Sequence, residues 1–252
     1  MQIKFLGTGT SHGVPLIGCK CKTCTSDNHK NYRTRSSLFI RNQNTSIIID
    51  TAQEFRLQLL HNNINKVDAI FYTHPHADHL LGFDDIRSIN RTTGKIIPCY
   101  GNEFTIEEIR RVFPYIFDAV QKGGGLPEVS FHLIKKRIIY KDFSIIPLPV
   151  KHGKLDILGY KINNIAYITD CSFIPEKTCE FLNDIDLLIL GVLRYREHNT
   201  HMNIEQAINL INKIGVNRAY FTHLSHELEY NETNRNLPDH INLAYDGMII
   251  DI

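Results

Sequence analysis

No apolar run in the 252 residues approaches the roughly 18 needed to cross a bilayer, so the chain is read as having no membrane span. The N-terminus, Met1-Gln2-Ile3-Lys4-Phe5-Leu6-Gly7, enters a strand-like segment at once, with no long apolar region and no cleavage site. That pattern predicts no signal peptide and a cytoplasmic location. A formal net charge of +1 gives no reason to expect a broad polyanion-binding surface. There is no repeat at a solenoid period, no low-complexity segment and no composition break marking a linker, so one domain over 1–252 is expected. A disulfide framework is also missing. Three of the six cysteines crowd together at Cys19, Cys21 and Cys24, and Cys99, Cys171 and Cys179 lie scattered in apolar surroundings as small buried residues.

What is present is an ordinary core-forming composition, 42% hydrophobic and 22% charged, and an alternation of strands with helices. Strands are predicted at Ile3–Leu6, 36–40, 46–49, 67–72, 95–100, 129–134, 137–140, 143–148, 157–162, 164–169, 186–191, 217–222 and 247–251. Helices are predicted at 54–62, from the segment after residue 79 to about Asn90, and at 103–112, 175–182 and 203–214. Residues 118–128, with Gly123-Gly124-Gly125 and Pro127, read as a loop.

The chemistry is concentrated in Thr73-His74-Pro75-His76-Ala77-Asp78-His79, directly after the strand-like run Val67–Tyr72. Side chains two apart in an extended segment face the same way, so His74, His76 and Asp78 can point together off the strand. His79 turns with them only if the backbone bends into a helix, as the apolar spacing of Leu80, Leu81, Phe83 and Ile86 suggests. The segment can then serve two metal ions, His74 and His76 at one, Asp78 and His79 at the other. Three later ligand-type residues stand at or just beyond strand ends: His152, Asp170 and His223. Asp50 ends another strand. A nitrogen and oxygen donor set suits Zn²⁺, Mn²⁺ or Fe²⁺. Two such ions about 3.5–4 Å apart would share a bridging hydroxide and polarise a phosphoryl or carbonyl oxygen, which is metal-assisted hydrolysis.

The stretch from His74 to His79 resembles the H-x-H-x-D-H motif of the metallo-β-lactamase superfamily. The resemblance implies an α/β fold, a four-layer αββα sandwich. It implies that His152 joins the first metal, that Asp170 bridges both, and that His223 joins the second, with Asp50 orienting a metal-binding histidine. It also places Asp78 among the catalytic residues.

Gly18-Cys19-Lys20-Cys21-Lys22-Thr23-Cys24 sets three thiols within six residues, a clamp for a soft metal. A zinc-binding loop over about 18–29 is expected. His29 is the local candidate for a fourth ligand and His226, three residues after His223, the distant one. This cysteine clamp together with Thr222-His223-Leu224-Ser225-His226 and His201 resembles the PhnP family of cyclic phosphodiesterases, from Gly7-Thr8-Gly9 to Asp246-Gly247-Met248. That likeness favours His226 and a structural zinc beside two active-site divalent metals, Zn or Mn. It makes His201 the residue that contacts the scissile phosphate and helps the leaving group depart, by a proton or by stabilising charge; His198 is its weaker competitor. Arg194 and Arg196 are candidate phosphate contacts and equally ordinary surface charges, as are Arg33 and Arg35. His12 and Cys171 neighbour site-lining loops, and Cys171 stands where the family comparison would have a hydroxyl residue.

The expected activity is hydrolysis of a small phosphodiester, a cyclic ribosyl or nucleotide phosphate, with a homodimer as one form the chain could take. Three alternatives stand beside it. A tRNA 3′-end endoribonuclease would need a Lys- and Arg-rich arm, and residues 113–128 hold one Lys and no Arg. A thioester or lactone hydrolase could use the same metals. A non-catalytic carrier resembling the pyrroloquinoline quinone biosynthesis protein shares a similar cysteine clamp, but a complete ligand set speaks against it.

Overall fold

A computed structural model describes residues 1–117 and 125–252. The loop expected at 118–128 therefore lies partly outside the described residues. Six strands come first: β1 (Gln2–Gly7), β2 (Ser37–Asn42), β3 (Thr45–Ile49), β4 (Ala69–Phe71), β5 (Ile97–Gly101) and β6 (Val129–Leu133). Seven follow: β7 (Ile138–Tyr140), β8 (Phe143–His152), β9 (Leu155–Ile162), β10 (Ile165–Ile168), β11 (Leu187–Gly191), β12 (Ala219–Thr222) and β13 (Ile241–Leu243). The last strand, β14 (Ile249–Asp251), returns to pair antiparallel with β1. The two sheets run β14-β1-β2-β3-β4-β5-β6 and β13-β12-β11-β10-β9-β8-β7.

The sequence dictates the layers. On β3, Ile47 and Ile49 turn inward against the second sheet while Ile48 turns outward to helices. The continuous Ile47-Ile48-Ile49 run is that of a strand buried on both faces. The space between the sheets is filled by the alternating residues Ile3, Phe5, Ile47, Ile49 and Phe71 on one side and Tyr160, Ile162, Ile165, Tyr167 and Ile189 on the other. Outside the first sheet, Phe55 and Leu59 of the helix Phe55–His61 and Ile86 and Ile89 of the helix Ile86–Thr93 cover Ile48 and Ile70. Outside the second, Ile204, Ala207 and Ile211 of the helix Ile204–Ile214 cover one end of the sheet with Leu188, Leu190 and Phe221. That helix starts with a capping box, in which Asn203 and Gln206 bond each other's backbone N–H. Gly215 ends it in the left-handed region, φ +77°. This is the expected sandwich of two sheets between helices.

Several boundaries differ from expectation. The predicted helix to Asn90 is broken into Ala77–Leu80, a 3₁₀ turn Phe83–Asp85, and Ile86–Thr93. The break falls at Gly82, where a Cβ would stand 2.2 Å from the carbonyl of Ala52 and 2.4 Å from the Phe55 side chain. β8 runs to His152 itself, so that residue lies in a strand rather than after one. The helix Tyr230–Asn236 and the strand β13 were not anticipated. The helix is mostly polar, with Thr233 its only buried residue, and carries no apolar period to read.

Candidate metal centre

The ligand-type side chains gather where strands of both sheets end. β4 stops at Phe71, residues 72–76 are irregular, and the short helix Ala77–Leu80 then turns Asp78 and His79 away from His74 and His76. The donor atoms fall into two groups: His74, His76 and His152 bring one set within 4.8 Å of one another, and Asp78, His79, Asp170 and His223 bring a second. Asp170 stands between them. Its Oδ1 lies 3.3 Å from His79 Nε2 and 3.1 Å from His223 Nδ1, and its Oδ2 lies 3.9 Å from His74 Nε2.

The hydrogen bonds behind these groups set the tautomers. Thr73 donates to Asp50 from both its backbone N–H (2.8 Å) and its hydroxyl (2.7 Å). With its proton given to Asp50, the Thr73 hydroxyl accepts from His74 Nδ1 at 2.9 Å. His79 Nδ1 donates to Asp50 at 2.7 Å. His152 Nδ1 donates to the Thr200 carbonyl at 2.8 Å. Each of these three rings is thereby left with a lone pair on Nε2 facing the centre. Asp50 is the orienting carboxylate that the resemblance implied; Thr73 and the Thr200 carbonyl were missed, since a threonine next to a histidine carries no signal of its own.

Ligand-type nitrogens and oxygens converge here. Asp78 Oδ2 and His79 Nε2 are buried with no hydrogen-bond partner of normal geometry among the described residues, 3.2 Å from one another, and His74 Nε2 and His76 Nδ1 are 3.0 Å apart. Imidazole nitrogens and carboxylate oxygens gathered this closely suit cations. The residues fit divalent metals of the nitrogen and oxygen class.

Electrostatics agree. Burial disfavours charge on Asp170, but His223 and His79 outweigh it and hold its carboxyl well below the usual range. Burial likewise opposes charge on His79, yet Asp170, Asp78 and Asp50 together push its pKa well above the ordinary value. His74 is driven well below by burial, with His79 adding to it. The carboxylates thus favour the charged form of His79, while burial keeps His74 neutral with its one proton on Nδ1; His79 Nε2 is the atom that would face a metal.

Three of these residues have unusual backbones. Asp50 (φ 62°), Asp170 (φ 52°) and His223 (φ 58°) all lie in the left-handed region just beyond their strands. Gly191 makes room for one of them, since a Cβ there would stand 2.8 Å from Asp170 N.

His201 closes the centre from the opposite side. Its ring stacks on His223 at 5.0 Å and meets His152 edge-on at 4.7 Å, and its Nδ1 lies 4.0 Å from Asp170 Oδ2. Burial, helped by His223, lowers its pKa to about 3. The ring of His198, the competitor, lies 5.1 Å from that of His201, with Nδ1 held by the Thr200 N–H and hydroxyl. Arg194 bonds the Arg196 and Glu197 carbonyls and Arg196 pairs with Glu227 at 2.9 Å. Arg194, His198, His201 and His12 line a cavity of about 290 Å³ next to the centre. Cys171 is buried, its thiol pushed up by burial.

The second cluster also assembles. Cys19, Cys21, Cys24 and His226 bring one donor atom each within 4.8 Å of one another, and both Cys19 Sγ and Cys21 Sγ lie 3.3 Å from His226 Nδ1. Three sulfurs and one imidazole nitrogen at such separations fit tetrahedral zinc. His29 is outside this group and faces Tyr245.

A β-lactamase superfamily domain matches residues 45–224. A crystal structure described as a new diphosphatase from the PhnP family is 40% identical, covers 100% of this chain and 97% of its own, and superposes with a TM-score of 0.93. The octanoyltransferase of Porphyromonas gingivalis is 38% identical over 253 residues, 98% of this chain and 51% of that one. A ribonuclease Z of Methanococcus maripaludis is 22% identical over 157 residues, 61% of this chain and 45% of that one. The chain spans about half the length of the curated relatives it matches.

Proposed function

The chain belongs to the β-lactamase superfamily, and from that premise we propose that it is a metal-dependent hydrolase of a small phosphodiester or diphosphate, resembling PhnP. The observation that carries this reading is the convergence of the two donor groups on Asp170, with His201 4.0 Å from the same carboxylate. His74, His76 and His152 would hold one divalent metal, Asp78, His79 and His223 a second, with Asp170 shared. Such metals, when bound, polarise a phosphoryl oxygen and make water nucleophilic at neutral pH.

The chain's own residues do the rest. Asp50 and the Thr200 carbonyl hold the histidine rings in the tautomers that expose Nε2. His201, kept neutral by burial, presents a ring N–H to the departing oxygen as a hydrogen-bond donor rather than a strong acid. The 290 Å³ cavity beyond it suits a leaving group of mononucleotide size or smaller. The 40% identity with a PhnP-family diphosphatase supports a phosphoryl substrate.

A second reading rests on the octanoyltransferase relative. The same centre could polarise the carbonyl of an acyl thioester. A turnover screen of the metal-loaded protein decides between them. Hydrolysis of a 1,2-cyclic or 2′,3′-cyclic phosphate or of a nucleoside diphosphate supports the first reading. Turnover of an octanoyl thioester alone, or of precursor tRNA alone, overturns it.

A further inference from the structure

Arg33 is the largest of the fully buried side chains, 1% exposed, and none of the catalytic machinery touches it. Its guanidinium donates to the Ser225 carbonyl at 2.9 Å, the Leu228 carbonyl at 2.6 Å and Asn31 Oδ1 at 3.3 Å. Its Nε has no partner among the described residues. All three acceptors are neutral, so a whole positive charge is buried without a bonded carboxylate. Asp246, the carboxylate that acts on it most, spends its oxygens on Thr8 and Thr34; Glu229 bonds Asn31; and the next group to act on it is Cys24, a member of the cysteine cluster. An isolated buried charge is costly unless something compensates it.

The compensation lies in the cysteine cluster. Three thiolates and a neutral imidazole around Zn²⁺ carry a net charge of −1. Arg33 also bonds both chain segments that carry that cluster. Its backbone N–H and carbonyl pair with Val14 at 2.7 and 2.9 Å, closing the base of the loop that carries Cys19, Cys21 and Cys24. Its side chain grips the carbonyls on either side of His226, at 225 and 228. One residue therefore joins the segment that supplies the sulfurs to the segment that supplies the nitrogen.

We propose that Arg33 is the positioning residue and buried counter-charge of the Cys19/Cys21/Cys24/His226 zinc site. It sets the distance between the thiolate loop and His226 and neutralises the anionic zinc cluster that the two form. This rests on reading that cluster as a zinc site.

The test titrates the purified full chain with a mercurial that attacks thiolates only, following zinc release with a colorimetric chelator, in wild type, Arg33→Lys and Arg33→Met. Wild type should release one zinc per chain. Arg33→Met should release it at least tenfold faster. Arg33→Lys, which keeps the charge but loses the fork, should fall between. Cobalt substitution gives a second readout: the sulfur-to-cobalt charge-transfer band should weaken at a given cobalt concentration in the order wild type, Lys, Met. Thermal melts in a Cys21→Ser background separate a merely structural arginine, because the loss of Tm on replacing Arg33 should shrink when the zinc site is already broken. Equal release rates, or an undiminished loss of Tm in the Cys21→Ser background, overturn the role of Arg33 while leaving the zinc site intact. A wild-type chain from which the mercurial releases no zinc overturns the zinc reading itself. If Arg33→Met does not fold, Arg33→Lys alone decides, since wild-type release kinetics in that folded variant refute the forked clamp.

Discussion

Asp50 takes the Nδ1 proton of His79 at 2.7 Å while its other oxygen accepts the backbone N–H of Thr73 at 2.8 Å. One buried carboxylate thus orients one histidine directly and, through the Thr73 hydroxyl, a second, His74. Replacement by asparagine keeps the shape but turns an amide towards donors it cannot accept from. Asp50→Asn is expected to lower affinity for active-site metal about 10–100-fold. Metal analysis after dialysis at graded chelator concentrations measures it, and unchanged retention would remove Asp50 from this role.

His201 is not among the expected metal ligands, although it stacks on His223 and brings a ring nitrogen within 4.8 Å of donor atoms of His152 and Asp170. His201→Ala should keep its active-site metal content and lose about 10²–10⁴-fold in turnover of bis(p-nitrophenyl) phosphate. Metal content and kcat on the same preparation separate the two effects. A variant as active as wild type would leave His201 a packing residue only.

His226, which completes the cysteine cluster, and His223 share a short segment, three residues apart. Cys21→Ala should therefore lose one zinc per chain and lower the Tm. A melt and a zinc assay are enough, and wild-type values in both would refute a structural zinc.

Asp246 accepts four hydrogen bonds, from the backbone and hydroxyl of Thr8 and of Thr34. Burial still outweighs these donors and raises its pKa to about 6. An unfolded aspartate titrates near 3.9, so between about pH 4 and pH 6 the folded chain holds a proton that the unfolded chain has lost. Stability from this group is present at low pH and lost as pH rises through 6, by at most about 3 kcal/mol. The stability difference between wild type and Asp246→Asn should shift in favour of wild type as pH falls from 7 to 4, measured by urea unfolding. A difference independent of pH would show that Asp246 is already ionised at low pH.

Much of this was legible in the chain. The candidate ligands Asp170 and His223, and Asp50 behind His79, were readable because each follows an apolar strand, and a strand end is where side chains leave the sheet for a shared edge. The cysteine clamp was readable because its spacing is local. His226 was not settled by spacing, because two histidines compete until the fold brings one of them to the sulfurs. Thr73, the Thr200 carbonyl, Arg33 and Asp246 act through partners far away in sequence or through main-chain atoms, and neither leaves a periodic trace. The broken helix after His79 escaped for a similar reason: Gly82 is fixed by its contact with Ala52 and Phe55, thirty residues earlier in the chain.

The left-handed backbones at Asp50, Asp170 and His223 have a consequence for how such a centre can change. Aspartate and histidine are among the few residues with a side chain that enter that region readily. At these corners the demand of the turn and the demand of the proposed metal centre, for a ligand atom at Asp170 and His223 and for an acceptor behind His79 at Asp50, are met by the same residue types. Glycine would relax each corner and abolish its donor; glutamate would keep a donor and resist the corner. Drift away from catalysis is therefore steepest towards glycine and asparagine, and a descendant that had lost its metals should be recognisable by those two residues at positions 50, 170 and 223.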